Sequence, residues 1–553
     1  MKKYIFKSLA ALFLLVLLTA CQDNAFLNQA PYSFTTPDKF YKTEADFKNA
    51  LVGCYEALNT TVLPGGAWVP DGTYAKGLYY VLEGCSDNVV ATSTNTYASG
   101  DFEKASYLPN NVNLGYFWQA YYVGISRCNY VIDKIQTATM SDSSKALIVG
   151  EARFMRAFYY HHLASCFGGV PLVTSSTPEL KAPRADLQSV YGLIVSDLEC
   201  AYQTLRPTAF NKSGAGKWTA AAYLGTVYNY LASCKRYSVG VSLLPKCSLN
   251  SFEWVNADSM SMKAVAVLGD VIAQSPYVLV PTAEYSYLFR EATKSYQYKE
   301  CLFLSEWSDG YSDRYSIITE LFTPQGAAAY GGSNGRHLPT FDLYKAYATG
   351  DIRLKQSITG SYSSSSLKET VDKADYYVPA TASATAASNR YTGKFRLAVP
   401  GTYSNHTSND CSLNYPLMRL ADVKLQLAEA LFFTNREPEA RAIFTEIRQR
   451  VVDTTSKTAT VFTLNTAYNK ADFVQELLDE RRRELCFESK RRIDLIRFDK
   501  TTQVIQNLPV EGSADVQSGI NTLKANWTYS KIWLPIPQTE IDLNPNLVQN
   551  ADY

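Results

Sequence analysis

The sequence predicts a mainly α protein, a tetratricopeptide-like scaffold of paired helices that carries long irregular loops. Three observations lead there. Apolar residues recur at helical spacing in long segments of the first half. Small residues recur inside those segments, where helices would cross closely. From Ser275 to about Asn414 this order gives way to Tyr, Ser, Thr and Gly, and it returns afterwards.

The elements follow in order. Thr43 to Leu58 carries Phe47, Leu51 and Tyr55 at helical spacing, and Tyr116 to Ile135 reads the same way. Ser144 to Phe167 is the strongest helix, with Ile148, Ala152, Met155 and Tyr159 on one face. Gly168-Gly169 stops it and Pro171 follows. Leu187 to Leu205, Thr219 to Ser233 and Met262 to Ala273 continue the series, with Ala157, Ala164, Ala220, Ala221 and Ala222 as crossing points. Ser361 to Ser366 and Ala380 to Ser388 read as low-complexity loops. Helices return at Pro416 to Phe433, at Glu437 to Val451 and, capped by Asp472 with Gln475 three residues on, from Phe473 to about Phe498. The arginines of this last helix are interleaved with acids. Asp479 is expected to pair with Arg482 or Arg483, and Glu488 with Arg491 or Arg492.

The N-terminus sets the compartment. Lys2 and Lys3 precede an apolar run from Leu9 to Leu18, a signal-peptide core too short to span a bilayer. It ends Leu18-Thr19-Ala20-Cys21, a lipobox, so Cys21 is expected to be lipidated and to become the mature N-terminus. The competing reading, an ordinary signal peptide with a chance cysteine, is disfavoured by the small residues at 19 and 20. The mature chain would then be anchored to a membrane rather than span it.

Composition excludes several classes. The 553 residues carry 53 Lys+Arg against 52 Asp+Glu, so no basic field exists to hold nucleic acid. Tyrosine (40) outnumbers phenylalanine (25), which suits half-wet contact surfaces. The cysteines beyond Cys21 form no CxxC pair and mostly sit in apolar stretches, so they read as buried thiols. Four histidines without ligand spacing make zinc improbable. His161 and His162 lie about 100° apart on a helix and cannot chelate from one face. Ser213 to Lys217 resembles a phosphate loop, but Asn211 stands where the first glycine belongs and Trp218 where Ser or Thr does. No GxSxG, HExxH or EF-hand pattern occurs. Ser308 to Asp313 could wrap a calcium ion, but a solvated loop is the preferred reading, so no cofactor is expected.

Five segments together resemble the SusD/RagB family of outer-membrane lipoproteins. Glu151 to Tyr160, followed by Phe167-Gly168-Gly169-Val170-Pro171-Leu172, is similar to its R-x-x-R-A-x-x-Y … F-G-x-x-P-L segment. Leu338 to Tyr344 with Gly350-Asp351-Ile352-Arg353 resembles a P-t-x-d-L … D-x-R element. Pro416 to Leu425 with Ala428-Glu429-Ala430 resembles P-x-x-R-x-A-e-v-x-L … A-E-A. Glu480 to Leu485, then Glu488, Arg491 and Asp494 to Arg497, is similar to E-R-R-x-E-L … E-x-x-R-x-x-D-L-x-R. Leu534 to Ile541 and Asn544 to Asn550 resemble the closing P-I-P-x-x-E-I … N-P-x-L-x-Q-N, with Ala551-Asp552 where the family has Pro-Gly. Arg153, Arg156, Glu480 and Arg497 are assigned to fold rather than to ligand.

The resemblance implies a SusD-like domain over 21–553 after a signal peptide over 1–20. Its parts would be a helical scaffold (21–274) with a loop over 60–115, a loop-rich ligand-binding subregion (275–414), and C-terminal helices and tail (415–553). It implies an outer-membrane, lipid-anchored protein, facing outwards, that is not an enzyme. It would bind an oligosaccharide and hand it to a SusC-like TonB-dependent transporter. A peptide-binding relative on the same scaffold, a glycosidase with cryptic carboxylates and an adhesin are the alternatives.

Sugars need aromatic faces and hydrogen-bonding side chains together, on loops over a rigid support. Two regions qualify. One offers Trp68, Tyr74, Tyr79, Asp87, Asn88 and Tyr97; the other offers Tyr285, Trp307, Tyr311, Tyr315, Arg336 and His337. The favoured platform is Trp307 with Tyr311 and Tyr315, helped by Asp87 and Arg336. Trp307 is expected to expose its ring at the end of the apolar run Cys301 to Leu304. Trp118, Trp218, Trp254 and Trp533 read as core.

Overall fold

Helix starts are set by side chains that satisfy the first free backbone N–H groups. A computed structural model describes residues 40–553 apart from 60, 63–67, 70–76, 93–94, 96–97, 210–213, 308–325, 327–334, 336, 363–366, 400, 404–411 and 453–460. Thr43 and Asp46 form a reciprocal capping box at the head of α1 (Glu44–Glu56). After the short α2 (Gly77–Glu83) come α3 (Val112–Lys134) and α4 (Asp142–Phe167), capped by Asn111 and Ser141. Asp186 and Asn256 do the same for α5 (Leu187–Thr204) and α7 (Ala257–Gln274). Between these, α6 (Lys217–Arg236) starts at Gly216.

From α3 to α7 each helix packs on the next, which is the paired-helix arrangement the periodicity predicts. The C-terminal segment extends this layer. α8 (Leu420–Phe432) docks on α6 and α7, and α9 (Glu437–Gln449) and α10 (Phe473–Leu485) dock on α8. Ala157, Ala164 and Ala220 to Ala222 are all fully buried at these crossings. At Gly225 a Cβ would lie 2.4 Å from Leu268, so α6 and α7 approach as closely as they do because no side chain intervenes. α4 stops at Gly168, whose φ of +79° and contact with Asn250 leave no room for a Cβ.

Three corrections fall on the C-terminal half. Pro416 to Arg419 is not helical. Tyr415–Arg419 is a strand that pairs antiparallel with Cys301–Ser305, and α8 begins only at Leu420. The long charged helix is broken as well. α10 ends at Leu485 and α11 (Arg491–Arg497) starts afresh, with Phe487 and Ser489 at φ +65° and +58° in the gap. The break turns Glu488 inwards, where Lys394 and Arg419 take it. Finally, Asp472 caps α10 as expected, but Gln475 donates to Asp479.

One core cluster runs from Phe47 to Ala551. Trp118, Trp218 and Trp533 are buried in it, and Trp254 packs against it. Every cysteine among the described residues is a free thiol, buried except Cys200, which is partly exposed. No helix among the described residues is long and apolar enough to cross a membrane. At the C-terminus Asp552 takes the φ of +65° that glycine would adopt in the family pattern. Aspartate tolerates this region better than most residues, and Lys246 pairs with its carboxylate.

Candidate functional site

One strand pair, a hydrogen-bonded pair of chain roots and a set of buried ion pairs bring the roots of the two candidate loop regions together. β1 (Val89–Ala91) and β3 (His337–Pro339) pair antiparallel, Val90 against Leu338; β2 (Cys301–Ser305) lies between them in sequence. At their other ends Ser305 Oγ donates to Asn59 Oδ1 at 2.5 Å, and Asn59 Nδ2 donates to the Glu306 carbonyl at 3.0 Å. The chain thus leaves the scaffold beside Asn59 and Ser305 and re-enters it at β1 and β3, so the two segments, 60–88 and 307–336, share both of their roots. The Thr61–Val62 and Trp68–Val69 strands form a short ladder within the first.

The charged helices hold this arrangement from below. Arg491 grips Asp87 bidentately at 2.7 and 2.8 Å, and Arg482 reaches the Asp87 carbonyl at 2.5 Å and Asn88 Oδ1 at 2.9 Å. Burial alone would raise the Asp87 carboxyl, but Arg482 and Arg491 outweigh it and hold it down at about 2. Asn88 also donates to Glu83 at 2.7 Å. The expected local pairing on the charged segment is therefore corrected. Arg482 and Arg491 reach Asp87, nearly 400 residues away, while Asp479 pairs with Lys470. On this segment Glu480 with Arg483 and Asp494 with Arg497 do follow helical spacing. Arg156 binds Asp197 bidentately, and Glu480 and Arg497 are buried ion-pair members, in line with their assignment to fold. Arg153 lies 3.8 Å from the same Asp197.

The residues chosen from the sequence separate into two groups. Tyr74, Tyr97, Tyr311, Tyr315 and Arg336 lie outside the described residues, and Trp68 is placed only by its backbone pairing with Val62. The others are packed into the body. Tyr79 is buried edge-on against Tyr80. Tyr285 is buried with the Arg450 guanidinium 5.2 Å from its ring centre. His337 bonds Glu103 at 2.7 Å and lies against Tyr80. Asp87 and Asn88 are spent on arginines. Trp307 is 4% exposed, so the expectation of an open ring is corrected. Its backbone is fixed by Asn414, which accepts from its N–H at 3.2 Å, and by Lys294, which donates to its carbonyl at 3.1 Å. The strand Cys301–Ser305 carries the ring into the body instead of presenting it.

What lies open at the loop roots is a small cavity of about 130 Å³ bounded by Tyr55, Leu58, Asn59, Gly214, Ser305 and Glu306. Tyr298 donates to Glu306 at its rim. The sequence reading passed over Asn59, Ser305 and Glu306 because none is aromatic; the available signal was the end of the apolar run before Ser305. Among the described residues no group of His, Cys, Asp and Glu is placed to hold a metal ion. His161 and His162 are buried in α4, where desolvation pushes them down to about 3 and about 4.

A paired-helix body with two loop regions rooted together is the class of scaffold the described residues define, and comparison with known proteins gives the family. Residues 308–553 match the SusD family model, and residues 26–229 match a model described as starch-binding, associating with outer membrane. The chain belongs to the SusD family. SusD-like protein P2 of Formosa agariphila is 24% identical over 565 residues, covering 100% of this chain and 99% of that protein. A SusD homolog from Bacteroides thetaiotaomicron superposes with a TM-score of 0.72 at 18% identity, over 95% of this chain and 100% of that one. A laminarin-binding SusD-like protein does so with a TM-score of 0.65 at 21% identity, over 93% of this chain and 100% of that one.

Proposed function

We propose that this protein captures oligosaccharide outside the cell, on the outer membrane, and passes it uncleaved to a SusC-like TonB-dependent transporter. The observation that carries the reading is the double anchoring of the two loop regions, through Asn59 with Ser305 and Glu306, and through β1 with β3. It brings the roots of two aromatic-rich segments together on one body, and a sugar ligand needs aromatic and hydrogen-bonding side chains on loops over a rigid support. The description of the family model as starch-binding and the laminarin-binding neighbour support a glucan over a peptide.

The test is calorimetry of the detergent-solubilised full-length protein with maltoheptaose and laminariheptaose, followed by mass spectrometry of the sugar. Saturable binding with the sugar recovered intact is the expected result. Binding of peptides but of no saccharide would move the protein to the peptide-binding reading, and turnover abolished by one carboxylate substitution would make it a glycosidase.

The anchor is tested separately. Cys21→Ala is expected to leave the protein without its tether, because acyl chains at that residue are the only membrane attachment proposed. Fractionation should then find it in the soluble fraction; retention in membranes after a salt wash would refute the anchor.

A further inference from the structure

Beside the loop-root cavity lies a larger groove of about 430 Å³, within the roughly 300–1,000 Å³ of small-molecule sites. The two share Val52 and Tyr55 as a common wall. The groove runs between α1 and the start of α4 and is closed on the third side by the chain around Leu205 and Ala215. Its sides mix apolar Leu51, Val52, Leu147 and Ile148 with polar Glu44, Lys48, Ser144, Arg206 and Thr208 at the rim. Val52 is 58% exposed there.

Its polar group is Glu151, 8% exposed on α4. Tyr55 donates to Glu151 Oε1 at 2.7 Å and accepts from the Ala215 N–H at 2.9 Å, so the tyrosine is saturated. Glu151 makes no other hydrogen bond and no ion pair among the described residues. Burial raises its carboxyl to about 7 against the Tyr55 bond, because no cation lies close enough to hold it down. A buried carboxyl with one unused oxygen at the floor of a solvent-open groove that offers both apolar and hydrogen-bonding walls marks a ligand position rather than a structural ion pair. By contrast Asp87, Glu480 and Glu484, which serve the fold, each face arginines.

We propose that this groove is a further binding position for the captured oligosaccharide, continuous with the loop-root cavity, in which Glu151 Oε2 accepts a sugar hydroxyl and the Leu51, Val52, Leu147 and Ile148 walls cover the apolar face of the ring. The inference rests on the glycan reading above. A chain that fills both cavities binds more tightly than one that fills the first alone.

The experiment compares maltotriose with maltoheptaose, and laminaritriose with laminariheptaose, by calorimetry on the full-length protein in detergent. For the linkage that binds, the heptasaccharide is expected to bind about tenfold tighter than the trisaccharide, equivalent to about 1.4 kcal/mol. Glu151→Leu and Leu147→Asp should each remove that gain and leave trisaccharide affinity unchanged, since both residues line the groove and not the loop-root cavity. Leu147 is only half-buried, so Leu147→Asp keeps the fold even if Glu151→Leu does not. A length gain that survives Leu147→Asp, or no length gain in the unaltered protein, overturns the groove and leaves the glycan reading standing. Failure of every one of these sugars to bind overturns the glucan reading and the groove with it.

Discussion

Arg419→Ala is expected to lower the free energy of unfolding by about 3–5 kcal/mol, as when one partner of a buried ion pair is removed. The Arg419 guanidinium is fully buried and binds Glu488 at 2.7 Å, Glu300 at 2.8 Å and Glu484 at 3.1 Å. Alanine leaves these carboxylates in the interior with fewer cations. Arg450 still serves Glu300 and Glu484, and Lys394 still serves Glu488. The loss is therefore that of a damaged network, not of all its members. Denaturant unfolding at neutral pH measures it, and a change below about 1 kcal/mol, the worth of an exposed pair, would refute the claim that the network carries stability.

The same network sets an acid limit. Burial alone would raise Glu484, but Arg450, Arg419, Arg353 and Lys394 outweigh it and hold it down at about 2. A carboxyl whose folded pKa lies below its unfolded value, about 4.3, contributes stability that is complete above that value. That contribution is lost as pH falls towards 2. In Arg419→Ala the folded value of Glu484 rises towards the unfolded one, so the pH-dependent part of stability shrinks.

The helical half of the fold was legible because its signals are local. A stripe through Ile148, Ala152, Met155 and Tyr159 and a stop at Gly168 are both written within one helix, whose Ser141 cap lies three residues before the expected start. The break at Phe487 to Ser489 was not legible, because helix propensity favours continuing. What overrides it is a partner far away in sequence, the Arg419 that draws Glu488 inwards. The partners of Arg482 and Arg491 were missed for the same reason. Spacing rules for ion pairs describe a solvated helix face, and α10 has no such face along its Glu480 to Leu485 run, where every residue is buried. The site was legible as two regions but not as residues. Aromatic content cannot separate a ring that packs beneath a loop from one the loop presents, and Tyr79, Tyr285 and Trp307 are all of the first kind.

Trp307 decides between those two roles by experiment. Trp307→Ala is expected to cost about 3–5 kcal/mol of stability, the range for a buried aromatic truncated to alanine. The ring is 4% exposed, and its backbone is pinned on both sides by Asn414 and Lys294. The structure around it therefore has little freedom to collapse into the space the indole leaves. One feature works against the full cost. The indole N–H is buried and makes no hydrogen bond among the described residues, so its removal relieves an unmet donor. Trp307→Phe isolates that contribution. It keeps most of the ring contacts, drops the donor and should cost much less than alanine. Thermal melting of both variants, with maltoheptaose and laminariheptaose affinity measured alongside, separates the roles. A packing residue gives a large drop in melting temperature for Trp307→Ala and a small one for Trp307→Phe. A stacking platform gives an unchanged melting temperature with affinity lost about tenfold or more, the scale of one lost aromatic stack of about 1–3 kcal/mol. That second outcome would restore Trp307 to the ligand surface and remove it from the core.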